Sequence, residues 1–561
     1  MRVASIGSVF GAVKTQKPQL NNFNYISVNQ VKDRVSFTGN YKINPVNVDL
    51  EKAEYVTNSL STSTSGHRAV YGSEDFNKEI VQLFTLGVAK YAKDKAKESG
   101  KEATVLIGGD TRKASRESLE LIKNALVGQD VNVLYIDKPV PTPLHALATK
   151  DMDIDVAILL TASHNPWEDG GFNLVTKEGA IAPPEVTKEV AKNAVNYAKE
   201  GTFVSNQKSN STVTKLFPYE LYKDTINGYG LIDWEKIKDS DISIHYDALK
   251  GTGSNVLPQL LKDYGIKSDI VNSGEKEGPN PTGANLKELK ENVIKDKSPL
   301  KIGLANDGDA DRFGIVDENG TFIEPNDVIL LTAYHLAENK GIKGDIVRSQ
   351  ATSSQLDHFA KNHGLNVIET PVGFKYIGED ILELRKHGGD ILVAGEESGG
   401  LTINSHIPEK DGVIALLLML DLVATEGKPL SEILKQVKED LNTSFGADSF
   451  SKTLKAEADK AVIMDRMKNI YEKALNGETK FGNDFEIDVE KSQAHQNSME
   501  HYKKGGDGVK LFFTDGSSVL VRKSGTEPKV KAYIEVATDN NETTQNNIKL
   551  LRSELENIFT I

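Results

Sequence analysis

From about residue 100 onward, short apolar runs alternate with longer segments whose apolar residues recur every three or four positions. This alternation constrains the fold more than any other feature of the chain. Runs at 103–109, 131–136 and 155–160 read as strands, with helices at 116–129 and 185–200. A polar stretch at 202–214 follows, and the same grammar restarts. Strands fall at 242–247 and 301–305, with a helix at 254–263. Strands at 313–316 and 321–323 then flank an Asn319-Gly320 hairpin turn. A third round begins at Asn326 with a helix to Lys340. Its strands fall at 345–348, 366–369 and 390–393, and its helices at 354–362, after Phe374 and from Gly412. Strands separated by helices imply parallel βα units. The last section differs, with a helix at 456–475, a strand-rich stretch at 509–536 and a closing helix at 543–559. The expected fold is α/β: three related βα-sheet domains at 45–208, 209–324 and 325–444, and a C-terminal α+β domain at 445–561. No residue-level repeat accompanies the implied duplication.

Composition narrows the function. Lys and Arg number 67 against 81 Asp and Glu, a net charge of −14. Nucleic acid as the main partner is disfavoured, because a phosphate backbone needs a basic face; local pockets for small phosphates are still allowed. No apolar run approaches a membrane span, and the longest, 413–424, contains Asp421 and reads as a buried helix. Cysteine is absent, which removes disulfides, thiolate catalysis and Cys-ligated metals. A reducing, cytoplasmic setting is compatible with that. Residues 1–40 stand apart, with Arg2, Lys14, Lys17, Lys32 and Arg34 against one acid, Asp33. A disordered or loosely attached extension is expected over 1–44. Its acid-poor composition also allows an organelle transit peptide, while the lack of a secretory apolar core argues against export. Nothing in the sequence specifies an oligomeric state.

Polar segments at strand ends carry the chemistry, since α/β sheets present reactive groups beyond the carboxyl ends of their strands. The run 155–160 ends in Thr161-Ala162-Ser163-His164-Asn165-Pro166. A serine beside a histidine suggests a nucleophile, although adjacent loop residues need not face each other. After the strand 301–305 comes Asp307-Gly308-Asp309-Ala310-Asp311-Arg312, three alternating carboxylates suited to a hard cation such as Mg²⁺. An EF-hand is excluded by Arg312 where that loop needs glycine and by strand-like flanks. A solvated acidic turn accounts for neither Arg312 nor the strand-end location. Gly395-Glu396-Glu397-Ser398-Gly399-Gly400 also follows a strand and offers carboxylates and a hydroxyl to sugar hydroxyls. On its own it reads equally as a glycine-rich turn. Arg522-Lys523-Ser524-Gly525-Thr526-Glu527-Pro528-Lys529 suits a phosphate monoester and is not a Walker loop, although by composition it also reads as a charged hairpin tip. Thr64-Ser65-Gly66-His67-Arg68 adds an arginine after a glycine turn.

These segments in this order resemble the α-D-phosphohexomutase superfamily over roughly residues 45–561. Secondary matches are Gly109-Asp110-Thr111-Arg112, Thr370-Pro371-Val372-Gly373-Phe374-Lys375 and Lys410-Asp411-Gly412. The resemblance implies four domains around a central cleft, each giving one loop. It implies an isomerase that moves a phosphoryl group between the 1- and 6-positions of one hexose. Ser163 would be a phosphoserine in the resting enzyme. Asp307, Asp309 and Asp311, with a Ser163 phosphate oxygen, would hold one Mg²⁺, and hexose 1,6-bisphosphate would be intermediate and activator. Arg522, Ser524, Gly525 and Thr526 would grip the non-reacting phosphate, and Glu396 and Ser398 the sugar hydroxyls. Arg68 and Arg312 would lie near the transferring group, with His164 and Lys375 as candidates for proton transfer or phosphate contact. One position departs from the pattern: the family lysine ten residues after the serine is Asn173 here, leaving Lys177 or Lys375 to substitute. The double glutamate of the 395–400 loop leans towards phosphoglucomutases, with mannose phosphate next and an amino sugar third. Two other classes are open: a phosphatase with an aspartyl nucleophile, and a sugar-phosphate-binding protein with weak or no turnover.

Overall fold

The strand Val156–Leu160 is buried along its whole length. Val156, Ile158, Leu159 and Leu160 each contribute about 1.5–3 kcal/mol by leaving water, and Ala157 less. It lies in a seven-stranded sheet whose order is Arg34–Ser36, Thr212–Lys215, Asn132–Tyr135, Thr104–Gly109, Val156–Leu160, Asp169–Thr176 and His67–Val70. The middle pairings are parallel, and those of Asp169–Thr176 with both its neighbours are antiparallel. Arg34–Ser36 joins this sheet by pairing antiparallel with Thr212–Lys215, while Gly39–Asn40 and Lys208–Ser209 form a separate two-stranded sheet. The helix Lys78–Ser99 packs beneath it. Asn77 accepts from the Glu79 and Ile80 amides at its start, and Gly100 closes it at φ 70°. Phe84 meets Phe172 edge-on at 5.3 Å and His67 at 5.3 Å, which backs the strand that returns from the Ser163 loop.

The same strand–loop–return arrangement occurs twice more. Lys301–Asn306 runs parallel to Ser243–Asp247 and pairs antiparallel with Phe313–Val316 across the acidic loop. Ile391–Glu396 pairs antiparallel with Gly400–Ile403. The expected Asn319-Gly320 turn is present, with Gly320 at φ 79° and Asp317 N–H donating to Thr321 O. The run 413–424 lies in the helix Gly412–Glu426, capped by Asp411, with Asp421 buried and paired to His335 and Lys340.

The computed structural model describes residues 34–36, 39–40, 48–63, 66–200, 208–209, 211–271, 278–454, 456–500, 508–524 and 529–560. The elements above belong to one compact unit, Met1–Gly344 with Gly378–Ser431; Asp345–Ile377 and Glu432–Ile561 form a second. In the second unit, the antiparallel sheet Ser444–Thr453, Lys529–Thr538, Ser518–Lys523 and Gly508–Phe512 buries one face. Val530, Ala532, Ile534 and Val536 alternate inward against the closing helix Asn541–Ile558. Residues 345–377 are tied to that sheet by a buried ionic cluster. Glu369 meets Arg348 at 2.5 Å, His495 at 2.7 Å and Lys510 at 3.3 Å. Glu535 accepts from the Ser354 amide at 2.7 Å and from Ser353 Oγ at 2.5 Å.

Candidate active site

Ser163 sits in the left-handed region, at φ 50°, and is 1 % exposed. That backbone costs roughly 1–3 kcal/mol for a non-glycine residue, and its surroundings hold it there. Thr161 Oγ1 accepts from the Ser163 amide at 2.9 Å, and Arg112 donates to the Ser163 carbonyl at 2.6 Å. Ser163 Oγ donates to Asp307 Oδ2 at 2.8 Å and lies 3.4 Å from His164 Nδ1. The returning strand packs so tightly that a Cβ on Gly171 would fall 1.9 Å from Thr161 O. Gly66 is similarly required: at φ 73°, its Cβ would lie 2.3 Å from Phe172 O. This glycine delivers Arg68, which donates to Ala162 O at 3.2 Å and Asn165 Oδ1 at 3.3 Å.

Asp307, Asp309 and Asp311 are buried, with one oxygen of each within 4.8 Å of the others. Burial, then the charges of Asp311 and Asp309, push Asp307 far above the usual carboxylate range. Burial and Asp311 also push Asp309 up. Burial pushes Asp311 up too, but the charges of Lys410 and Arg312 outweigh it and leave Asp311 below its usual value. Asp309 Oδ1 and Asp311 Oδ1 are buried without a hydrogen-bond donor. Buried carboxylate oxygens facing one another in this way fit a bound cation, which supplies the missing partner. The donors are all hard oxygens.

Two residues that the sequence reading passed over complete this centre. Thr142 Oγ1 donates to Asp309 Oδ2 at 2.7 Å, and its amide donates to Asp309 O at 2.8 Å. Lys410 Nζ reaches Asp311 Oδ2 at 2.5 Å. Lys410 lay in a quoted motif without a role, whereas Thr142, 167 residues from Asp309, carried no local signal. Arg312 is positioned by its amide, which donates to Asp307 Oδ1 at 3.0 Å, and its Nε lies 3.9 Å from Asp311 Oδ1. The 395–400 loop packs here as well: the Phe313 amide donates to Gly399 O at 3.0 Å, and Ser398 Oγ donates to Glu396 Oε1 at 2.7 Å.

Asn173 does not stand as a ligand-facing group. It is 2 % exposed, and its amide donates to Leu159 O at 3.3 Å and Thr161 O at 2.8 Å. It therefore braces the end of the serine strand. Lys177 is exposed. Lys375, Arg522 and Ser524 belong to the second unit. Arg522 lies on Ser518–Lys523 opposite Gly508 and Lys531, and the Ser524 amide donates to Lys529 O at 2.9 Å. Gly525 and Thr526 lie outside the described residues, as do most of residues 1–40 with the transit-peptide expectation. No helix among the described residues is long and apolar enough to cross a membrane.

A strained strand-end serine bonded to a buried acidic cluster defines an α/β enzyme built for phosphate chemistry. Models of the phosphoglucomutase/phosphomannomutase alpha/beta/alpha domains I, II and III match residues 59–200, 220–320 and 324–440, and that of the C-terminal domain matches 486–546. A phosphoglucomutase/phosphomannomutase from Thermococcus kodakarensis is 29% identical, over 86% of this chain and 97% of the relative. A phosphoglucosamine mutase from Campylobacter curvus is 30% identical, over 60% of this chain and 74% of the relative. The crystal structure of parafusin, a phosphoglucomutase from Paramecium, shares the fold: TM-score 0.71, 21% identity, 94% of this chain and 98% of that one. The chain belongs to the phosphoglucomutase/phosphomannomutase family, isomerases that interconvert hexose phosphates.

Proposed function

We propose that the protein is a glucose-phosphate mutase in which Ser163 carries the phosphoryl group. The observation that carries this reading is Ser163 itself, held in left-handed backbone with its Oγ 2.8 Å from a carboxylate of the acidic cluster. Such a serine is set for one fixed direction of approach. The order of transfer follows from it. Phosphorylated Ser163 meets the free hydroxyl of a hexose monophosphate. The bond from phosphorus to Ser163 Oγ breaks, a bond to the sugar oxygen forms, and the hydroxyl proton passes to His164 or Lys375. The resulting 1,6-bisphosphate turns over, and Ser163 Oγ takes the other phosphoryl group back, returning a proton to the oxygen it leaves. Asp307, Asp309 and Asp311, with an oxygen of phosphorylated Ser163, would hold Mg²⁺, whose charge neutralises the transferring group. Arg68 and Arg312 add positive charge beside it. Glu396 and Ser398 would bind sugar hydroxyls. Arg522, Ser524, Gly525 and Thr526 would hold the phosphate that is not reacting, a remote handle that supplies orientation. The division at 45–208, 209–324, 325–444 and 445–561 assigns one such loop to each segment, and a cytoplasmic setting suits the substrate.

Glucose is favoured over mannose because the double glutamate of the 395–400 loop resembles that of phosphoglucomutases. The amino-sugar reading ranks third. The test is a coupled assay on glucose, mannose and glucosamine 1-phosphates with Mg²⁺ and a bisphosphate activator. Glucose 1-phosphate is expected to turn over fastest, and equal rates on all three would refute the preference.

A further inference from the structure

Arg112 is the largest fully buried side chain among the described residues. A guanidinium has five N–H donors, and here each has an acceptor. Nε donates to Asp110 Oδ2 at 3.0 Å. Nη2 donates to Ser163 O at 2.6 Å and Asn165 O at 2.7 Å. Nη1 donates to Pro166 O, and to Asp169 O at 3.3 Å. One cation therefore gathers four carbonyls of the loop that carries Ser163. Its charge is balanced by Asp110, which is itself fixed: Oδ1 accepts from Ser115 Oγ at 2.6 Å and from the Arg112 amide at 3.0 Å. The Asp110 amide donates to Leu160 O, the last residue of the serine strand, and the single Ser115 hydroxyl proton is shared between that carbonyl and Asp110 Oδ1. These four carbonyls, the negative ends of their peptide dipoles, are neutralised on Arg112.

We propose that Arg112 is the positioning residue of the phosphoryl carrier. By saturating its five donors on Asp110 and the carbonyls of Ser163, Asn165, Pro166 and Asp169, it holds Ser163 in left-handed backbone with Oγ aimed at Asp307. This role rests on the reading of Ser163 as the carrier. Geometry, not charge, carries it. A lysine keeps the charge but offers three donors from one point, so it does not substitute.

The test compares wild type, Arg112→Lys and Asp110→Asn with glucose 1-phosphate, well below their melting temperatures. Arg112→Lys is expected to lose about 100-fold in kcat, the scale of a small misplacement of a reacting group. KM is expected to stay within about threefold, because the groups proposed to hold the sugar are untouched. Loading of phosphate onto Ser163 from glucose 1,6-bisphosphate should slow in parallel with kcat. A folded Arg112→Lys protein with wild-type kcat, or one impaired only in KM, overturns the proposal. Asp110→Asn is isosteric and replaces one of the two acceptor oxygens that fix Arg112 by a donor, removing the anchoring charge with it, so it decides the matter if Arg112→Lys does not fold. Its kcat should fall about tenfold at unchanged KM, and an unchanged kcat overturns the proposal. Absence of turnover in wild type would instead count against the mutase reading.

Discussion

Removing Lys410 measures how the acidic centre is balanced. Its Nζ lies 2.5 Å from Asp311 Oδ2, and the two side chains are 13% and 6% exposed. In Lys410→Met the aliphatic stem is kept and the charge is lost. At an effective dielectric near 20, a unit pair about 4 Å apart is worth about 4 kcal/mol. Breaking a buried pair from one side costs about 3–5 kcal/mol, because the remaining charge has no partner. Arg312, 3.9 Å from the other oxygen of Asp311, absorbs part of that and places the loss near the lower end, about 3 kcal/mol. The carboxylates can also be balanced by a divalent cation, and ligand present at a thousand times its Kd adds about 4 kcal/mol to the state that binds it. The loss should therefore depend on the metal. In chelator, the unfolding transition of the first unit should drop by about 3–4 °C relative to wild type. In saturating Mg²⁺ most of that difference should disappear. The assay is thermal unfolding of both proteins under both conditions. An equal loss with and without Mg²⁺, or none in chelator, would refute the pairing argument.

Further outcomes follow from the same geometry. Gly171→Ala places a methyl 1.9 Å from Thr161 O, so the serine strand and its return must separate. Stability should fall by about 2–4 kcal/mol with loss of turnover, and wild-type activity would contradict the packing. Burial pushes the His145 imidazole down to about 3. A depressed folded value means that the stability is present above the unfolded value near 6.5 and is lost as pH falls towards 3, about 4–5 kcal/mol in all. His145→Leu should therefore move the acid-unfolding midpoint, followed by circular dichroism, to lower pH, and an unchanged midpoint would refute this.

The loops were legible because each follows an apolar run that can only be a buried strand. What local pattern could not show are the long-range ties. Asp169–Thr176 begins Asp-Gly-Gly, a poor strand by propensity. It becomes one because it pairs on both sides and because Gly170 and Gly171 admit Phe76 and Thr161. Thr142 was invisible as a partner of Asp309. The helix expected to run from Asn326 to Lys340 is α only over Pro325–Tyr334 and then π over His335–Asn339. A π turn brings residues five apart onto one face, and here it sets both His335 and Lys340 on Asp421. Asn173, where the family resemblance leads one to expect a lysine, is explained only by its two backbone acceptors.

The central claim concerns Ser163, and the most direct measurement is peptide mass mapping after incubation with glucose 1,6-bisphosphate and Mg²⁺, alongside conversion of glucose 1-phosphate to glucose 6-phosphate. The account predicts one phosphoryl group on Ser163 with conversion in wild type, and neither in Ser163→Ala. Phosphate found on Asp307, or conversion that persists in Ser163→Ala, would contradict it.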